Sequence, residues 1–238
     1  MRSAKLFIPS RLRVISMPRR YDFHIHSLLT EGELLPSEIA QRCTVFGYGG
    51  IAITDHVDIS NLDHVLGCLV PACKELEKDF DMHVLAGVEL THIPPGAIER
   101  MARLARKLGA QVIAVHGETL VEPVQKGTNH AAVKTPEVDF LAHPGLITEG
   151  EADLAQKNEV FLELTSRKGH SLANGHVARI GKTLGAGLLL NSDAHAPSDF
   201  ITWGDAERIA RGSGLSEKEV KVVLVDNPKR LLKKTSEL

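Results

Sequence analysis

LLLNSDAH, residues 188–195, is an apolar run that breaks abruptly into polar residues. Three consecutive leucines leave no polar face, so a strand here is buried on both sides, as in a parallel sheet covered by helices. Asp193 and His195 follow at its end, two residues apart. The run at residues 21–26, YDFHIH, has the same spacing in His24 and His26. Side chains two apart on extended backbone point to one face, so this pair can grip one ion.

Between these two runs, short apolar, β-branched segments alternate with helical patterns. Strands are expected at residues 21–26, 50–54, 84–90, 112–115, 138–142, 160–164 and 188–191. Pro36, Ile39, Ala40 and Cys43 stand at helix spacing, and Leu62, Val65, Leu66 and Leu69 form a stripe that Pro71 bends or interrupts. Ile98, Met101, Ala102, Ala105 and Leu108 make the clearest amphipathic helix, with Gly109 as its stop. Ser216 with Glu219 is a capping box, and Asn227-Pro228 opens a short basic tail. Seven strands alternating with helices imply an α/β fold with a parallel sheet, closed into a barrel rather than left open. One domain is expected over residues 20–238. Residues 1–19 hold Arg2, Lys5, Arg11, Arg13 and Arg19 and no acid. They are read as a frayed basic leader, or as the product of an early start codon before Met17.

With 238 residues and 43% hydrophobic content, the chain can bury one sizeable core. Lys plus Arg number 28 against 30 Asp plus Glu, and 4% of residues are aromatic, so extended nucleic acid is not an expected partner. Cys43, Cys68 and Cys73 form no disulfide framework, which fits a reducing cytoplasm. No apolar run has the length of a membrane span or the flanks of a signal peptide.

Nearly every expected strand ends in a potential ligand. After His24 and His26 come His56, Glu89, His116, His143, Asp193 and His195. In a parallel barrel the C-terminal strand ends share one mouth, so these eight converge. Burying so many imidazoles and two carboxylates together without a cation leaves unpaired polar groups at a cost of roughly 2 to 7 kcal/mol each. Nitrogen and oxygen donors without cysteine suit zinc, manganese or iron. Asp55 and Glu118 are candidates for orienting imidazoles. His64, His83 and His92 lie off the pattern and are read as surface or packing residues.

The ordered set DFHIHS, ITDH, GVEL, VHGE, LAHPG and NSDAH resembles the PHP family, named for polymerase and histidinol phosphatase, from about Asp22 to the DNPKRLL tail. The resemblance implies a distorted seven-stranded (β/α) TIM-like barrel with two or three divalent metal ions. It implies that His24, His26, Glu89 and Asp193 hold one ion. Glu89 bridges to a second on His116 and His143, and His56 and His195 hold a third. The three-zinc branch of the family has a histidine where Gly32 stands here, and Glu31 is the nearby substitute.

Two cations sharing a carboxylate lower the pKa of a bridging water toward about 7 and present hydroxide for in-line attack, with Asp193 among the catalytic ligands. His195 or His56, where not fully committed to metal, then protonates the leaving alcohol. Arg167, Lys168, His170 and His176 follow the sixth strand and are candidates for binding substrate. The expected activity is hydrolysis of a small phosphate monoester, histidinol phosphate being the namesake substrate. A nuclease or phosphodiesterase and a non-catalytic metal-binding module are the alternatives. An amidohydrolase is disfavoured because Glu89 and histidines occupy the ends where that family needs a modified lysine.

Overall fold

The computed structural model describes residues 18–235, so Met17 and most of the expected leader lie outside the described residues. Seven strands alternate with helices: β1 (Arg20–Ile25), α1 (Pro36–Val45), β2 (Tyr48–Val57), α2 (Leu62–Asp79), β3 (His83–Leu90), α3 (Ile98–Lys107) and β4 (Val112–His116). Then come α4 (Thr128–Lys134), β5 (Phe140–Ala142), α5 (Glu149–Lys157), β6 (Phe161–Thr165), α6 (Asn174–Leu184) and β7 (Leu188–Asn191). The chain ends in α7 (Trp203–Gly212), α8 (Glu217–Lys221) and α9 (Asn227–Thr235). All strand pairs are parallel and the sheet order is sequential, giving the expected TIM-like α/β barrel. No helix among the described residues is long and apolar enough to cross a membrane.

Period-two alternation sorts the strand residues into two layers. Ile51, Ile53, Val84, Ala86, Ile113, Leu141, Leu162 and Leu190 pack outward in one cluster with the helices. Phe23, Ala52, Leu85, Val112, Ala114, Phe140, Phe161 and Leu189 form a second, inner cluster. In four of the strands, stepping along the inner face by two leads from this apolar floor to the polar mouth. Ala52 leads to Thr54 and His56, Leu85 to Gly87 and Glu89, Ala114 to His116, and Leu189 to Asn191 and Asp193.

The seam between β7 and β1 is closed largely by side chains. Phe23 N donates to Asn191 Oδ1 at 2.9 Å, and Ser192 N donates to Asp22 Oδ1 at 3.0 Å. His26 N reaches Ala194 O at 2.8 Å, and Ile25 bridges Ala194. Register shifts in β1 between Asp22 and Ile25 accompany this join, so the barrel is distorted there.

Pro71, expected to bend or interrupt its stripe, lies inside α2 and does not interrupt it. Two other expectations change in detail. The fifth strand begins at Phe140, because Asp139 turns its carboxylate inward to accept from Ile113 N at 2.8 Å and to pair with Arg106 and Lys234. The expected basic tail is instead α9, which plugs the floor. Leu231 is fully buried in the inner cluster, Asn227 Nδ2 donates to Leu188 O at 2.8 Å, and Arg230 covers the Phe161 ring. Truncating Leu231 to Ala leaves a cavity in this floor and is expected to cost about 2 to 4 kcal/mol. Urea unfolding should show a lower midpoint, while metal content stays that of the parent chain.

Candidate metal centre

The eight strand-end residues come together at one mouth, with Glu89 and Asp193 at the middle. Glu89 Oε2 lies 2.7 Å from His56 Nε2 and 3.4 Å from His24 Nε2, and Glu89 Oε1 lies 3.4 Å from His143 Nε2. Asp193 Oδ1 lies 3.1 Å from His26 Nε2, 3.4 Å from His195 Nδ1 and 3.7 Å from His24 Nε2. His116 joins His56 and Glu89 in one group of donors, with its ring centre 4.5 Å from that of His143. Glu31 stands on the outer side. Its Oε1 is 2.6 Å from His26 Nδ1 and 3.7 Å from His195 Nε2, and its Oε2 is 3.3 Å from His56 Nδ1.

These donors fit divalent cations. His24 Nε2, His26 Nε2 and both Glu89 oxygens are buried and make no hydrogen bond, although each faces other donor atoms at short range. Ligands about 2.1 Å from a tetrahedral ion stand about 3.4 Å apart, inside the range of spacings seen here. Protons divide unevenly among the imidazoles. Burial lowers His24 and His26, but the carboxylates around them outweigh it, leaving His24 well above its usual value and His26 at about 9. Burial takes His116 down to about 4, and burial with the adjacent His26 does the same to His195. Burial also pushes up Glu89 and Asp193, yet the facing histidines hold both well below the carboxylate range.

The mouth is held by buried contacts that the sequence did not disclose. Glu163 accepts from His24 Nδ1 at 2.8 Å, from Asn191 Nδ2 at 2.9 Å and from His143 N at 2.9 Å. A carboxylate on Nδ1 fixes the His24 tautomer and turns Nε2 toward the other donors. An acid inside the apolar strand FLELT was the available signal. His143 and Asp193 adopt φ of 26° and 55°, a left-handed backbone whose strain of roughly 1 to 3 kcal/mol persists only where surroundings enforce it. Asp55 and Glu118 orient no imidazole. Asp55 holds the turn after β1 through Ser27 N, Ser27 Oγ and Thr30 Oγ1, while Glu118 accepts from Gly127 N and Asn129 N at the start of α4.

The loop after β6 divides. Arg167 reaches the site: its Nη1 lies 3.2 Å from Asp199 Oδ2, its Nε lies 4.0 Å from Asp193 Oδ2, and it lines a cavity of about 330 Å³ with Ser166, Lys168, Ser192 and Ser198. Asp199 also accepts from His195 N and Ala196 N, fixing that turn. Lys168 is exposed. His170 is buried, its ring 4.2 Å from that of His143. His176 does not join the cluster, because its Nε2 donates to Ile147 O at 2.8 Å and ties α6 to the loop between β5 and α5. His64 is exposed, and His83 pairs with Glu77 at the opposite end of β3. His92 was read as off-site, yet its ring lies 5.0 Å from that of His116.

Residues 19–237 match the profile of the family described as RNase P subunit p30. An uncharacterized protein of Methanocaldococcus jannaschii is 45% identical over 216 residues, covering 90% of this chain and 99% of its own length. Ribonuclease P protein component 3 of Methanosarcina barkeri is 26% identical, covering 90% of this chain and 89% of its own. A probable phosphatase of Caldanaerobacter subterraneus subsp. tengcongensis is 27% identical, covering 89% and 90%.

Elemental analysis of chain purified without chelator is expected to find at least two transition-metal ions per chain. Asp193→Asn should lose at least one of them while circular dichroism stays that of the parent, because the inner and outer apolar clusters build the fold. An unfolded Asp193→Asn variant would mark the cluster as structural.

Proposed function

This chain belongs to the RNase P subunit p30 family, a family of PHP-like barrels, and on that premise we propose that it is a metal-dependent phosphoesterase acting on a small phosphate monoester. The observation that carries the reading is the ring of eight strand-end donors with Glu31 beside it, whose inner atoms are buried without hydrogen bonds. His24, His26, Glu89 and Asp193 would hold one ion, with His116 and His143 holding a second across Glu89. His56, His195 and Glu31 would hold a third. Zinc, manganese and iron all suit such donors. Bound divalent ions supply Lewis acidity toward phosphoryl oxygens and lower the pKa of water toward about 7.

The protein's own groups supply the rest. Arg167 offers a planar fork to phosphate oxygens at the cavity beside Asp193, although Asp199 already takes part of its charge. Ser166, Ser192 and Ser198 line the same cavity and can orient the leaving group. His56 and His195 are the partly exposed imidazoles of the ring, and whichever is not committed to the third ion would hand a proton to the leaving oxygen.

A second reading is favoured by the family description and by the ribonuclease P relative: phosphodiester chemistry on RNA, or a metal-binding role within an RNA-processing assembly. The near-equal count of acids and bases and the low aromatic content weigh against a surface built for long strands. A donor ring that lacks only a histidine at position 32 weighs against a role with no chemistry.

Catalytic efficiency on p-nitrophenyl phosphate is expected to exceed that on bis(p-nitrophenyl) phosphate at matched pH and metal. Arg167→Ala should lower the monoester value about tenfold, the lower end for a charge-assisted hydrogen bond, without changing metal content. The reverse substrate order, or cleavage of single-stranded RNA at comparable efficiency, would put the RNA reading first.

A further inference from the structure

The loop between β4 and α4, residues 117–127, carries a carboxylate that no strand end accounts for. Glu122 Oε2 lies 2.9 Å from His116 Nε2 and 3.8 Å from His92 Nε2, and Glu122 Oε1 lies 3.3 Å from His170 Nε2. The three imidazoles come from three places, the end of β4, the turn after β3 and the loop after β6, yet all direct Nε2 at this one group. Each is constrained. Thr119 Oγ1 fixes His170 through Nδ1 at 2.7 Å, and His92 sits in the left-handed region with φ of 51°. A histidine strained into that region and turned toward a second histidine has no packing reason for the arrangement, since its side chain is half exposed.

We propose that Glu122 and His92 are metal ligands that complete, with His116, the shell of one ion at the mouth. The donor atoms of His92, His116 and Glu122 all lie within 4.8 Å of one another, and the two measured spacings bracket the separation of about 3.4 Å expected around a tetrahedral ion. The donor set is nitrogen and carboxylate oxygen, the same chemistry as the strand-end ring. A consequence follows for the loop. Glu118 closes its base through Gly127 N and Asn129 N, and Glu122 fastens its middle, so metal binding anchors the whole loop beside the substrate approach. This inference rests on the metal-centre reading above.

The test is chelator competition with Zn²⁺ on the intact chain, alongside hydrogen exchange of amides 119–126. Glu122→Gln and His92→Ala are each expected to weaken the affinity for one ion at least about tenfold. Zinc should slow exchange in this loop in the parent chain and not in Glu122→Gln. His64→Ala, on an exposed helix face, serves as the unchanged control. Parent-like affinity and parent-like loop protection in both variants overturn the proposal and leave the strand-end centre standing. A parent chain that binds no zinc removes the centre and the proposal together. His92→Ala keeps the test decisive if Glu122→Gln does not fold, because His92 is half exposed and its buried neighbour His116 keeps Glu122 as a partner.

Discussion

Glu163 joins the two problems that this chain has to solve. A barrel of seven strands needs its first and last strands tied, and a ring of imidazoles needs each ring nitrogen assigned. The Glu163 carboxylate accepts from Asn191 Nδ2 and His24 Nδ1, while Asn191 Oδ1 accepts from Phe23 N across the seam. A continuous hydrogen-bonded path therefore runs from the β7–β1 join to the tautomer of His24. Burying a carboxylate costs several kcal/mol unless its lone pairs are satisfied, and three donors satisfy this one. Closure of the sheet and the aim of its central imidazole are thus set by the same buried group.

From that join the mouth follows by simple geometry. Strand residues alternate faces, so an apolar inner floor forces the next inner position but one toward the mouth, where His56, Glu89, His116 and Asp193 stand. This is why seven strands and the eight convergent donors were legible in the sequence: period-two alternation and an abrupt polar stop at each strand end are local signals. The parallel order was legible for the same reason, since runs such as Leu188-Leu189-Leu190 admit no solvated face.

What stayed hidden depends on partners far along the chain. Asp22 with Ser192 and Asn191 with Phe23 span nearly the whole barrel, and nothing near either residue marks it as half of a seam. Leu231 lies in a stretch dense with Lys and Arg, so its helix reads as solvated until the open floor of the barrel claims it. Asp139 delays the start of an expected strand, because a backbone N–H of β4 and two cations reach its carboxylate from other elements. Asp55 and Glu118 lie within two residues of histidines in sequence but serve backbone turns, which shows that nearness along the chain is a poor guide to what a carboxylate holds.

The turn after β1 fixes how the outer part of the mouth is built. A Cβ at Gly32 would lie 2.3 Å from His26 O, so the backbone at this position excludes any side chain, histidine included, unless the turn moves. The donor therefore comes from the preceding residue, Glu31, which reaches His26, His56 and His195 at once. A carboxylate in that place adds a negative charge that an imidazole would not. Glu31 then joins Glu89 and Asp193 around the imidazoles, and Arg167 approaches on the side of Asp193. The guanidinium is drawn there by Asp193 and Asp199 together, so the acids that shape the mouth also place a fixed cation beside it.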